Sequence, residues 1–127
     1  MCVYTSPAID LHYFLNTSPS PDVMENETDI VLNEYLGTLS ATMKQLNCKT
    51  QPPTMKELKI TLKRRASHGM IAFFTVLPVM LCSKSEAKDL NDLMSTGFVN
   101  PGLRNENYRK LLIKKLPMYD KWGLLDV

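Results

Sequence analysis

The chain has 127 residues, enough for one compact domain and too few for two of ordinary size. Hydrophobic residues make up 44% of it and charged residues 22%, a globular balance that excludes wholesale disorder. The formal net charge is only +2, so charge alone gives no reason to expect nucleic acid or a membrane as partner.

Met1 to Thr5 reads as a short extended piece. Ser6-Pro7 then announces a helix, because serine can cap free N–H groups and proline suits the first helical position. Ile9, Leu11, Tyr13, Phe14 and Leu15 fill it, and the Ser-, Thr- and Pro-rich stretch from Asn16 to Asp22 predicts a loop. From about Val23 to Asn47, the residues Leu32, Tyr35, Leu36, Leu39, Met43 and Leu46 recur at three- and four-residue steps. That spacing puts all six on one face of an amphipathic helix.

Thr54-Met55-Lys56-Glu57 fits a capping box, in which threonine and glutamate bond each other's backbone N–H groups. The period then runs through Met55, Leu58, Leu62, Ala66, Met70, Phe73 and Leu77 to Pro78. This predicts one helix with a basic first half and a buried second half. Gly69 is expected to allow close packing or a bend, and Pro78 a kink. A short helix over Glu86 to Met94 and a loop over Gly97 to Gly102 follow. A last amphipathic helix is expected from about Arg104 to Leu116, with Pro117 ending it or opening a final turn. In that turn Tyr119, Trp122 and Leu125 would pack back on the body. The expected fold class is all-α, with no strand and no internal repeat.

Cys2, Cys48 and Cys82 are far apart and odd in number, which suggests neither a disulfide framework nor a zinc site. Reduced thiols in the cytoplasm are the simplest expectation, since no basic region followed by a long apolar one opens the chain. The longest apolar stretch, Gly69 to Cys82, is shorter than the roughly 20 residues that cross a bilayer.

A nucleotide-using enzyme needs something to hold phosphates, and none of the five glycines forms a glycine-rich loop. His12 and His68 sit on different helices with no Gly-x-Ser-x-Gly elbow near them. The acidic cluster Asp22, Glu25, Glu27 and Asp29 suits the positive end of a helix dipole better than a metal site. Lys63-Arg64-Arg65 reads as a solvated face, although with Ser67 it fits a basophilic-kinase phosphorylation pattern.

Several segments taken together resemble the C-terminal part of the insect ecdysteroid-kinase-like (CHK kinase-like) family, relatives of choline kinases and aminoglycoside phosphotransferases. They are Ser6-Pro7-Ala8-Ile9-Asp10-Leu11 with Tyr13-Phe14-Leu15, then Tyr35 to Leu39, then Leu46-Asn47-Cys48-Lys49 leading to Pro52-Pro53-Thr54. Pro78-Val79-Met80-Leu81, Tyr108 to Leu112 and Asp120 to Asp126 continue the likeness in order.

The resemblance implies the helical C-terminal portion of a protein-kinase-like fold, filling residues 1–127 and lacking the nucleotide-binding lobe and catalytic loop. The family's His-x-Asp and Asp-Phe-Gln motifs would lie upstream of Met1. ATP and Mg²⁺ are therefore implied for a full-length parent and no cofactor for this chain. The implied parent transfers phosphate from ATP to a hydroxyl of an ecdysteroid-like or other lipophilic alcohol, and the chain alone is expected to be inactive. Its implied partners are that alcohol and the missing N-terminal part of the same fold, with no nucleic acid and no membrane.

No catalytic or metal-binding residue carries over. Asp10 is implied to brace the catalytic loop, and Tyr35, Phe73 and Phe74 are candidates to line an apolar substrate pocket. The alternative expectation is a short, non-catalytic helical module that binds a protein partner or a lipophilic ligand.

Overall fold

The computed structural model describes residues 5–85 and 100–126. Within them the expected Ser-Pro start forms helix α1, Pro7–Thr17, and the Ser6 hydroxyl accepts the N–H of Ala8 at 3.3 Å. The same device recurs at Ser20-Pro21, which opens the short helix α2, Pro21–Asn26. The long helix α3, Thr28–Gln45, follows directly. The expected single helix over 23–47 is thus broken at Glu27, whose backbone lies at φ −120°, ψ 12°. There the Thr28 hydroxyl bonds the carbonyl of Met24, an acceptor that an unbroken helix would give to a backbone N–H.

Helix α3 stops as its sequence demands. Asn47 takes a left-handed conformation at φ 51°, and the Cys48 and Asn47 N–H groups return to the carbonyls of Met43 and Lys44. Asparagine tolerates that backbone region because its short polar side chain interacts locally. The apolar face of α3 is covered only at its N-terminal end. Leu32 is buried and Tyr35 and Leu36 are half-buried, whereas Leu46 is 70% exposed.

The capping box at Thr54 forms as read, with both reciprocal bonds in place, and starts helix α4, Met55–Arg64. The expected continuous helix breaks at Arg65 rather than bending at Gly69, and α5 runs Ala66–Met80. Leu62 supplies a reason. Its carbonyl receives the Nε2 of His12 at 2.7 Å as well as the Arg65 N–H, instead of serving only the next turn. A carbonyl can only accept, so the proton of this imidazole bond sits on Nε2.

A 3₁₀ turn, Pro101–Arg104, leads to the last helix, α6, Glu106–Lys121. The expected helix over 86–94 and residues 1–4 of the expected extended piece over 1–5 lie outside the described residues. Neither proline stops its helix: Pro78 sits inside α5 and Pro117 inside α6, which runs five residues past the predicted end at Leu116. Pro117 is exposed, and the residue four before it, Ile113, is 70% exposed, so water can serve the carbonyl that lost its N–H. Helix α6 ends instead at Gly123, at φ 67°, where the Leu124 and Gly123 N–H groups bond Tyr119 and Asp120.

No strand occurs among the described residues, and the architecture is all-helical. Two cores form. Ala8, Leu11, Leu32, Leu58 and Leu62 join α1, α3 and α4, while Phe73, Leu77, Tyr108 and Tyr119 join α5 and α6. Helix α1 has its most extensive packing against α5 and so ties the two cores together. Gly69 makes this possible, because a Cβ there would lie 2.5 Å from Asn16 Nδ2 and 2.8 Å from His12 Nδ1. At the other end of α5, a side chain on Gly102 would run into the backbone of Pro78. Asn100 and Asn105 fasten the 3₁₀ turn there by donating to the carbonyls of Thr75 and Leu81.

Two predictions follow from this packing. Gly69→Ala should destabilise the chain by roughly 1–3 kcal/mol, read by thermal or urea unfolding, because the clash falls on side chains already held by hydrogen bonds. The Glu57 carboxylate is held below its ordinary value of 4.5 by hydrogen bonds from Thr54, the backbone one foremost. A depressed carboxylate pKa stabilises fully above 4.5, and the benefit is lost as pH falls through the lower folded value. The Tm deficit of Glu57→Ala should accordingly be present at pH 7 and shrink as the pH is taken below that range.

Candidate ligand cleft

Four helices present residues to the same hollow. His12, Leu15 and Asn16 come from α1, Lys59, Leu62, Lys63 and Ala66 from α4 and the start of α5, and Lys115, Met118, Tyr119 and Trp122 from the end of α6. Each set follows three- and four-residue steps, the spacing that aligns side chains along one side of a helix. Met24, Thr28 and the returning Leu124 complete a cleft of about 740 Å³. That size lies in the range of small-molecule sites. A smaller hollow of about 420 Å³ adjoins it and shares Met24, Lys115 and Met118.

The base of the cleft is set by a chain of hydrogen bonds. Tyr119 is 1% exposed and its phenol donates to Asn16 Oδ1 at 3.3 Å, while Asn16 Nδ2 donates to the His12 carbonyl at 2.8 Å. Burial, and to a lesser degree the neighbouring Tyr108 phenol, push the Tyr119 hydroxyl well above the usual tyrosine range. It therefore remains a neutral donor. Among the described residues no buried side-chain nitrogen or oxygen lacks a partner, so the base is a satisfied polar seam rather than a strained one.

The rim is cationic. Lys59, Lys63, Lys115 and Lys121 line the cleft, and among the described residues no Asp or Glu does. Lys59 meets Asp29 at 2.8 Å just outside, and Lys114 meets Glu25 at 3.1 Å. Both pairs are substantially exposed and add little stability. Lys115 is half-buried, and desolvation pushes its ammonium below the ordinary lysine value against the opposing pull of Glu25. Trp122, expected to pack back on the body, is 54% exposed and stands at the mouth with its ring edge-to-face with Tyr119 at 6.3 Å.

The residues singled out in the sequence lie elsewhere. Phe73 is fully buried, its ring 5.7 Å from that of Tyr108 and 5.9 Å from that of Tyr119. Phe74 is half-buried beside it, and Tyr35 is half-buried against the other core. None of the three lines the cleft. Asp10 lies exposed in the first turn of α1. The cleft residues carry a signal that single-residue inspection misses, a lysine at i+3 or i+4 from an apolar or aromatic neighbour on two separate helices. No group of three His, Cys, Asp or Glu side chains among the described residues could hold a metal ion, and no described helix is long and apolar enough to cross a membrane.

Residues 1–48 match the model of the ecdysteroid kinase-like family. The match spans α1, α2 and α3, so it supports the family assignment on the segment that carries the Ser-Pro-x-x-Asp-Leu start and supplies one wall of the cleft. No curated protein and no solved structure matches the chain.

Tyr119→Phe removes the phenol that serves Asn16 and leaves a buried acceptor without that partner. It should cost about 1 kcal/mol in chemical unfolding. A double-mutant cycle with Asn16→Ala should show coupling, since each change removes the same bond.

Proposed function

We propose that this chain is the helical, acceptor-side portion of an ecdysteroid kinase-like phosphotransferase whose parent phosphorylates a hydroxyl of a lipophilic alcohol. The observation that carries the reading is the family match over residues 1–48, in which α1 walls an apolar cleft of small-molecule size. In this reading the alcohol body rests on Leu15, Leu62 and Met118, and burial of its apolar surface provides the binding energy. Asp10, exposed at the start of α1, accepts backbone N–H groups of a catalytic loop that the parent supplies.

ATP and Mg²⁺ bind parent elements with no counterpart among these residues. Phosphoryl transfer needs the donor phosphates positioned, their charge neutralised and the acceptor hydroxyl oriented. The sequence contains no glycine-rich phosphate loop, so the chain alone is inactive. Exposed apolar residues on α1 and α5, namely Tyr13, Phe14, Ile71, Val79 and Met80, offer a surface against which the rest of such a fold would close.

The test has two parts. Purified chain with γ-labelled ATP, Mg²⁺ and an ecdysteroid should form no labelled product above a no-protein control, and any such product would overturn the inactivity. A read of the transcript through its 5′ end should continue in frame into His-x-Asp and Asp-Phe-Gln motifs. A stop codon in frame just before Met1 would replace this reading with a short ligand-binding helical module.

A further inference from the structure

The charge of the cleft goes beyond what a neutral alcohol uses. Among the described residues four lysines and no carboxylate line a hollow in a chain whose net formal charge is only +2, so positive field is concentrated at one place. Lys59 has a carboxylate partner in Asp29, whereas Lys63 and Lys121 form no salt bridge among the described residues and Lys115 feels only the field of Glu25, which is bridged to Lys114. Three ammonium groups beside the apolar walls of Leu15, Leu62 and Met118 hold a field that a neutral ligand leaves unused.

We propose that the cleft binds amphipathic anions, molecules with an apolar body and a single carboxylate or phosphate-monoester head, in preference to the uncharged alcohol of the same body. The inference rests on the cleft being the ligand site of the proposed function and adds the charge class of its ligand. The body lies on Leu15, Leu62 and Met118, and the head meets Lys63, Lys115 and Lys121 at the rim. The half-buried Lys115 gains most, because an anion beside it offsets the desolvation that now disfavours its charge. A phosphorylated lipophilic alcohol and a fatty carboxylate share this chemistry, and the head group separates them.

Trp122 is the only tryptophan and stands at the cleft mouth, so its emission reports occupancy directly. The full chain is titrated with 1-decanol, decanoate and decyl phosphate, each below its micelle threshold. Decyl phosphate, decanoate or both should shift Trp122 emission with a Kd at least about tenfold tighter than decanol, a preference that weakens as salt is raised. Stronger response to the phosphate ester identifies that source, and stronger response to decanoate identifies a fatty carboxylate.

Lys63→Gln, Lys115→Gln and Lys121→Gln combined should abolish the preference for either anion over decanol while leaving the circular-dichroism spectrum unchanged. Decanol binding as tightly as either anion, or a preference that survives the triple variant, would overturn the proposal while leaving the cleft as an alcohol site. If no amphiphile of either charge moves Trp122, both the inference and the cleft's assignment as ligand site fall. Concentration-dependent self-association that shifts Trp122 without ligand would show instead that a second copy covers the cleft.

Discussion

Close approach of α1 to α5 is the constraint on which the rest of the structure depends. The two helices meet where Gly69 leaves no Cβ, and into that gap fit His12 and Asn16. His12 in turn reaches the carbonyl of Leu62 at the junction of α4 and α5, and Asn16 receives the phenol of Tyr119 from α6. One side of α1 therefore fixes α4 and α6 by polar contacts and α5 by close packing, and no buried side-chain donor or acceptor among the described residues lacks a partner. The same side chains form the base of the cleft, so the packing that holds the fold is also the packing that shapes its hollow.

The two apolar cores divide the chain in an informative way. The core of α1, α3 and α4 is aliphatic, built on leucines at helical spacing, whereas that of α5 and α6 is aromatic, with Phe73, Tyr108 and Tyr119 meeting at ring distances of 5.7–5.9 Å. Offset and edge-on ring pairs add specific geometry to area burial. They orient Tyr119 so that its ring belongs to the core while its hydroxyl reaches the cleft. The segment that matches the family model contributes to the first core, and α4 and α6, which lie beyond that match, contribute the cationic rim.

The electrostatics of the cleft are local rather than global. A net charge of +2 says little about a surface on which acidic residues gather at the starts of α2 and α3 and lysines face the hollow. Asp29 and Glu25 pair with Lys59 and Lys114, and the inner lysines border the apolar walls of the cleft, with Lys115 still within the field of Glu25. An ammonium beside apolar surface, with its stem buried and its head at the rim, suits a ligand that is apolar at one end and anionic at the other.

Local signals in the sequence determined most of the helices and their caps. Ser6-Pro7, the Thr54–Glu57 capping box and the stop at Asn47 all act within a few residues, so they can be read without knowing what packs on them. The family resemblance was legible for the same reason over the Ser-Pro-x-x-Asp-Leu start. The breaks at Glu27 and Arg65 and the passage of α6 through Pro117 were not, because tertiary contacts and exposure to water decide whether a helix tolerates an irregularity. Residue type makes Tyr35, Phe73 and Phe74 pocket candidates, but type cannot distinguish a core-facing aromatic from one that borders a cavity. The cleft depends on four segments up to about a hundred residues apart meeting through Gly69, His12 and Asn16. Periodicity places a residue on a face of its own helix, and only tertiary packing decides what that face meets.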